Sequence, residues 1–261
     1  MSFRLKKLLE ILNKEYKFDM QEKWDNSGFQ IGNLQDEVFK ILLTMDVSFE
    51  SVLYAVKNNF NCIISHHPLF FEKITSLDFN SKFYKKIKLI MDNNINVISI
   101  HTPLDFHENG VNKALAKACM LKSYEHFIDY TNDFSYGLVG NVDNQNVIDY
   151  IKKIKFKNNF ENIIFYGNRD INISKIAVLG GSGAFSIKKA IDLDVDLLIS
   201  SDFKYHDIQY AIENSLSLVD LGHYESEFFG LYELEIFLKN NISSSVDIYI
   251  YKNNVFKKYV L

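Results

Sequence analysis

Disulfides do not shape this chain: two cysteines in 261 residues make no framework. Cys62 and Cys119 both lie among apolar neighbours, so each reads as a buried thiol, and a reducing cytoplasm is the expected compartment. Proline is as scarce, with two; together with the heavy use of Asn, Lys, Ile and Phe this reflects coding bias and excludes no function. Positive charge is not in excess. A net charge of −4 leaves no bulk basic field, and nucleic acid is not an expected partner. No apolar stretch approaches the roughly 20 residues of a membrane span, so no membrane partner is expected. The opening segment is not a signal peptide either. Leu5, Leu8, Leu9 and Leu12 share one face while Arg4, Lys6, Lys7 and Glu10 interrupt them, which predicts an amphipathic helix through Tyr16.

What is present is apolar residue, 47% of the chain, enough for one large α/β domain or two smaller lobes. The organising stretch is Cys62-Ile63-Ile64-Ser65-His66-His67-Pro68. A short β-branched run reads as a buried strand. Pro68 cannot join a ladder and biases His67 toward extended backbone, so the strand stops there. Two imidazoles then stand at a strand's carboxyl end, where open α/β sheets take their ligands. Adjacent side chains on extended backbone point opposite ways, so His66 and His67 are expected to face two different ions.

Apolar patterning places further strands at Lys40–Met45, Val97–Ile100, Tyr136–Val139, Ile163–Tyr166, Lys175–Leu179, Asp196–Ser200, Leu216–Asp220 and Val246–Tyr251. Helices fall between them, one capped by Ser48 and one opened by Asn109-Gly110. Trp24-Asp25-Asn26-Ser27-Gly28 is turn chemistry, read either as a connection or as a functional loop. Sliding the chain by 135 residues superposes Lys40-Ile41 on Lys175-Ile176, Ser51 on Ser186, Ala55 on Ala190 and Ile64-Ser65 on Ile199-Ser200. Strand, turn, helix and strand match in length without a gap, which predicts two related α/β lobes. The expected boundaries are 1–125 and 126–261, with mixed sheets and no inserted middle domain.

Four segments end strands in metal-type ligands: His66-His67, His101, Asp105, and His223 with Glu227. Histidine with carboxylate suits Zn, Fe, Mn, Ni or Co better than Ca or Mg. Four or five ligands are about right for two ions, roughly 3.5–4 Å apart, sharing a carboxylate.

Ser-His-His-Pro, His-Thr-Pro-Leu-Asp with Asn109-Gly110-Val111-Asn112, Gly-Gly-Ser-Gly, and Gly-His-x-x-x-Glu occur in the order seen in the Nif-three-like family. Many bacterial members of that family carry the label GTP cyclohydrolase 1 type 2. Asp25-Asn26-Ser27-Gly28 also resembles its amino-terminal motif, and the resemblance spans essentially the whole chain. It implies two intertwined α/β lobes with a dinuclear site at strand carboxyl ends between them. His67 and Asp105 would hold one ion, His66 and His223 the other, and Glu227 would bridge. His101 matches a family histidine near the ions that is not usually counted as a ligand. A ring-shaped homohexamer is implied as well. The departures are Tyr224, where many relatives have a second histidine, and a carboxyl terminus lacking a common proline.

Together these residues predict a dinuclear, divalent-metal-dependent hydrolase acting on a nucleotide or related phosphorylated small molecule. His101 is its candidate proton carrier or, equally, an orienter of a ligand. Gly180-Gly181-Ser182-Gly183 offers either a phosphate cradle or a tight turn that lets strand and helix pack. The same segment resembles a nucleophile elbow with Ala184 in the last glycine position, but a serine hydrolase leaves His66 and His67 unexplained. The non-enzymatic alternative is a metal-binding scaffold or regulator.

Overall fold

The computed structural model describes residues 3–131 and 134–256. In chain order, helix α1 (Leu5–Tyr16) leads to strands β1 (Gly28–Ile31) and β2 (Lys40–Thr44), then α2 (Phe49–Lys57), β3 (Cys62–Ser65), α3 (Lys82–Asp92), β4 (Asn96–Ser99) and the short α4 (Thr102–Phe106). Next come α5 (Val111–Ala118), β5 (Ser123–Asp129), β6 (Ser135–Asn146), α6 (Val147–Asn158), β7 (Ile164–Tyr166) and β8 (Asn172–Ser182). The remainder is α7 (Ile187–Asp192), β9 (Leu197–Ser201), α8 (Tyr205–Glu213), β10 (Ser217–Asp220), α9 (His223–Glu227), α10 (Gly230–Asn241) and β11 (Asp247–Ile250). None of the described helices is long and apolar enough to cross a membrane.

The chain forms two compact units. The first holds the residues through Leu104 together with Leu234–Phe256; the second holds Asp105–Glu233. The division therefore falls earlier than the boundary near 125 expected from the sequence, and the last strand does not stay with the second lobe. Both differences follow from pairing. Helix α5 packs on β6 and β8, while β11 adds in parallel to β2.

The first unit is a sheet of order β1-β4-β3-β2-β11, parallel except for β1 against β4. Its central strands β3 and β4 are buried throughout and β2 is buried from Ile41 to Thr44, as strands covered on both faces require. On α1, Leu5, Leu8 and Leu12 are fully buried, worth about 2 kcal/mol each, and the charged residues between them stay on the other face. The second unit is a sheet of order β5-β6-β8-β9-β10-β7, parallel at β8-β9-β10 and antiparallel elsewhere. Both sheets are mixed and helix-covered, the α/β class expected.

The repeat is written into the pairing register. Ile41, Leu42 and Leu43 face Cys62, Ile63 and Ile64; their counterparts 135 residues on, Ile176, Ala177 and Val178, face Leu197, Leu198 and Ile199. The polar junctions repeat too. Asn61 Oδ1 accepts the Lys40 amide, and Asp196 Oδ2 accepts the Lys175 amide. The Lys40 ammonium donates to the Asn58 carbonyl, and the Lys175 ammonium to that of Leu193. Even the left-handed residue ending each helix recurs, Asn59 at φ 57° and Asp194 at φ 51°.

Candidate metal centre

In the first unit, β3 and β4 run side by side and parallel; His66 and His67 directly follow β3, and His101 stands two residues beyond β4. The chain bends at His66 and His67, because the Ser65 hydroxyl donates to the His67 carbonyl at 2.7 Å and lies 2.8 Å from the Ser99 hydroxyl. The two rings therefore converge, with centroids 4.9 Å apart, and do not face opposite sides as extended backbone would dictate. His101 joins them at 5.2 and 5.4 Å. One ring nitrogen from each of the three lies within 4.8 Å of the others, close enough to hold a cation.

Each ring is fixed from behind. His66 Nδ1 lies 3.0 Å from the Ile100 carbonyl, His67 Nδ1 lies 2.9 Å from Asp46 Oδ1, and His101 Nδ1 lies 2.9 Å from Asp25 Oδ1. A carbonyl or carboxylate oxygen can only accept, so each Nδ1 carries a proton, and the tautomer this sets has its lone pair on Nε2. Asp25 does more than hold His101. Its Oδ2 accepts from the Thr102 hydroxyl at 2.6 Å, the Thr102 amide at 3.1 Å and the Ser27 hydroxyl at 2.9 Å. Burial alone would raise its pKa, but the His101 imidazole and the Thr102 and Ser27 hydroxyls hold it down at about 2.

In the second unit, His223 and Glu227 stand one turn apart on α9, with Nε2 and Oε2 at 3.2 Å. His223 Nδ1 is 2.6 Å from Asp202 Oδ2, the same anchoring from a carboxylate that follows a strand end. Asp105 lies on α4, its carbonyl accepting from the Asn112 side chain at 2.8 Å. Asn112 Oδ1 in turn accepts the Gly180 amide at 2.9 Å. Val111 fills the space a side chain at Gly180 or Gly230 would need, which explains the Asn-Gly-Val-Asn segment as a wedge.

The glycine-rich segment is not a phosphate cradle. The Gly180 amide is spent on Asn112, the Gly181 amide on the Ser226 hydroxyl, and the Gly183 amide on the Ser201 carbonyl. Gly181, at φ 72°, is needed because a Cβ there would overlap Glu227 Oε1. The tight-packing alternative is the one found. Neither cysteine is placed to ligate: both are buried, and burial pushes both thiols up to about 12.

The sequence reading did not pair the carboxylates Asp25, Asp46 and Asp202 with the histidines. Asp25 stood in a segment read as a connection or a functional loop and resembling the family's amino-terminal motif, with no role assigned to its side chain. A usable signal existed: Asp46 and Asp202 each follow the carboxyl end of a strand, as the histidines do.

A profile of the Duf34/NIF3 family, described as NGG1p interacting factor 3, matches residues 3–255. A Campylobacter jejuni protein named GTP cyclohydrolase 1 type 2 homolog is 32% identical over 228 residues, 86% of this chain and 87% of the relative. One of the same name from Methanocaldococcus jannaschii is 31% identical over 246 residues, 93% and 98% of the two chains. Among solved structures, a hypothetical protein of Staphylococcus aureus superposes at a TM-score of 0.90 with 27% identity, covering all of both chains. Reduced HcgD from Methanocaldococcus jannaschii superposes at 0.83 with 30% identity, over 97% of this chain and 99% of that one.

Proposed function

The chain belongs to the Duf34/NIF3 family, and on that footing we propose that it is a divalent-metal-dependent hydrolase of nucleotides or related phosphorylated small molecules. One observation carries the metal reading: four histidines, His66, His67, His101 and His223, are each anchored through Nδ1 to an oxygen acceptor. That is the backing metal-binding imidazoles need, since it sets ring orientation and tautomer and raises ligand basicity. Imidazoles and carboxylates anchored this way fit Zn, Fe, Mn, Ni or Co. The residues that would hold the metal are His66, His67, Asp105, His223 and Glu227, the set the family motifs mark, and the expected load is two divalent ions per chain. Such ions supply Lewis acidity and lower the pKa of water toward neutrality.

The chain's own contribution to turnover is the proton path. Asp25 keeps His101 in the tautomer protonated at Nδ1, so Nε2 is the atom that takes up and returns a proton. The name GTP cyclohydrolase 1 type 2 homolog, carried by the relatives, supports a nucleotide substrate. The family description supports a second reading, since it names a factor that interacts with NGG1p: a metal-holding scaffold whose partner is a protein.

Reconstituted protein should carry about two divalent ions per chain by elemental analysis, and the double variant His67→Ala, Glu227→Ala should lose them. His101→Asn should keep its metal while turnover on a nucleotide panel falls by roughly 10²–10⁴-fold. A metal-loaded wild type inert toward GTP and the whole panel would leave the scaffold.

A further inference from the structure

Two large rings stand in solvent beside His101, and neither the metal reading nor the proton path uses them. Trp24 is 56% exposed and Phe71 is 55% exposed. Trp24 directly precedes Asp25, and Phe71 lies three residues after Pro68 in the segment that leads from β3 to α3. Their centroids are 5.8 Å apart at a tilt of 43°. Each also meets the His101 ring, Trp24 at 5.5 Å and Phe71 at 6.1 Å.

The pair is held in place by polar ties between its two loops. The Asn26 side-chain amide donates to the Phe70 carbonyl at 2.7 Å, and the Phe70 amide donates to Gln30 Oε1 at 3.3 Å. Gln30 Nε2 returns a bond to the Asn26 carbonyl at 2.7 Å. The backbones that carry Trp24 and Phe71 are therefore tied together without a ligand, which removes part of the ordering cost of binding.

We propose that Trp24 and Phe71 form a stacking corner for the purine base of the nucleotide substrate, seating it against His101. The substrate class rests on the function proposed above; the corner itself rests on the ring geometry. At 5.8 Å the rings are too close for a base to slide between them, since a sandwich needs roughly 7 Å, two contact distances of about 3.5 Å. A flat heteroaromatic ring instead lies on the face of one and meets the edge of the other, an arrangement the aromatic quadrupoles favour. The imidazole of His101 forms the third side, so a base stacked there delivers its own polar edge to the nitrogen that moves the proton.

Trp24 is the only tryptophan in the chain, so its fluorescence reports this corner alone. Full-length protein, as purified and again after chelation, is titrated with guanosine, ribose 5-phosphate and tripolyphosphate. Guanosine should quench saturably in both preparations, while the two probes without a base should not. Phe71→Leu, which keeps the reporter, should weaken guanosine binding about three- to tenfold. Trp24→Leu, followed by equilibrium dialysis, should weaken it by about tenfold or more. Both residues are exposed, and unchanged thermal melting confirms intact folding.

No saturable quenching in either preparation overturns the proposal, as does equal affinity in both variants or equal quenching by tripolyphosphate. A signal that tracks protein concentration and ignores guanosine overturns it too, assigning the rings to contact between copies. Because the readout needs no turnover and is taken with and without metal, its failure leaves the metal site standing. Loss of metal or of turnover in the earlier tests likewise leaves this binding intact.

Discussion

Asp25 has no exposed side-chain surface and yet stays ionised, because donors from four residues converge on it. Asn in its place turns an amide toward donors that need an acceptor. Asp25→Asn should lose about 3 kcal/mol by urea unfolding of the chelated protein. The sign with pH follows from the lowered pKa. The carboxylate's contribution is complete above the usual aspartate value and drains away as pH falls toward about 2, so wild type and variant should converge in acid. Gly181 tests the other unit. Gly181→Ala combines a left-handed backbone with a methyl placed on Glu227, and should cost about 2 kcal/mol while lowering metal content by elemental analysis.

At the level of elements, the duplicated strand-helix-strand carries the same junction twice. Asn61 accepts the Phe39 and Lys40 amides; Asp196 accepts the Ser174 and Lys175 amides. Asn61→Ala should destabilise by about 1 kcal/mol, and Asp196→Ala by about 2 because its acceptor is charged. Urea midpoints should shift with the slope unchanged. The helix start at Ser48 was legible beforehand, and its hydroxyl does accept the Ser51 amide. β5 was not: only Phe127 of that edge strand is buried, so no apolar run marks it. β1 hid within turn chemistry for a similar reason, being a short edge strand in which only Gly28 is buried.

For the molecule as a whole, the assembly carried over from the family resemblance is a proposal with a simple measurement. Light scattering on the purified chain should give a particle near six copies, closed symmetry being the usual outcome for soluble homo-oligomers. A monodisperse monomer at micromolar concentration would remove the hexamer without touching either half of the ligand set.

The sequence by itself determined which residues could ligate, since residue type and strand-end position are local properties. It also determined the α/β class and the repeat, because apolar period and element length survive without coordinates. Tertiary structure decided what stands behind those residues. Asp25 lies 76 positions before His101, and Asp202 lies 21 before His223, separations that no local pattern spans. It decided that His66 and His67 converge, because a buried serine pair bends the chain after β3. It decided that the glycine amides face inward, since only packing against Asn112 and Ser226 could spend them. And it returned β11 to the first sheet, because hydrogen-bond pairing between distant strands is settled by the edge that β2 leaves open, not by order along the chain.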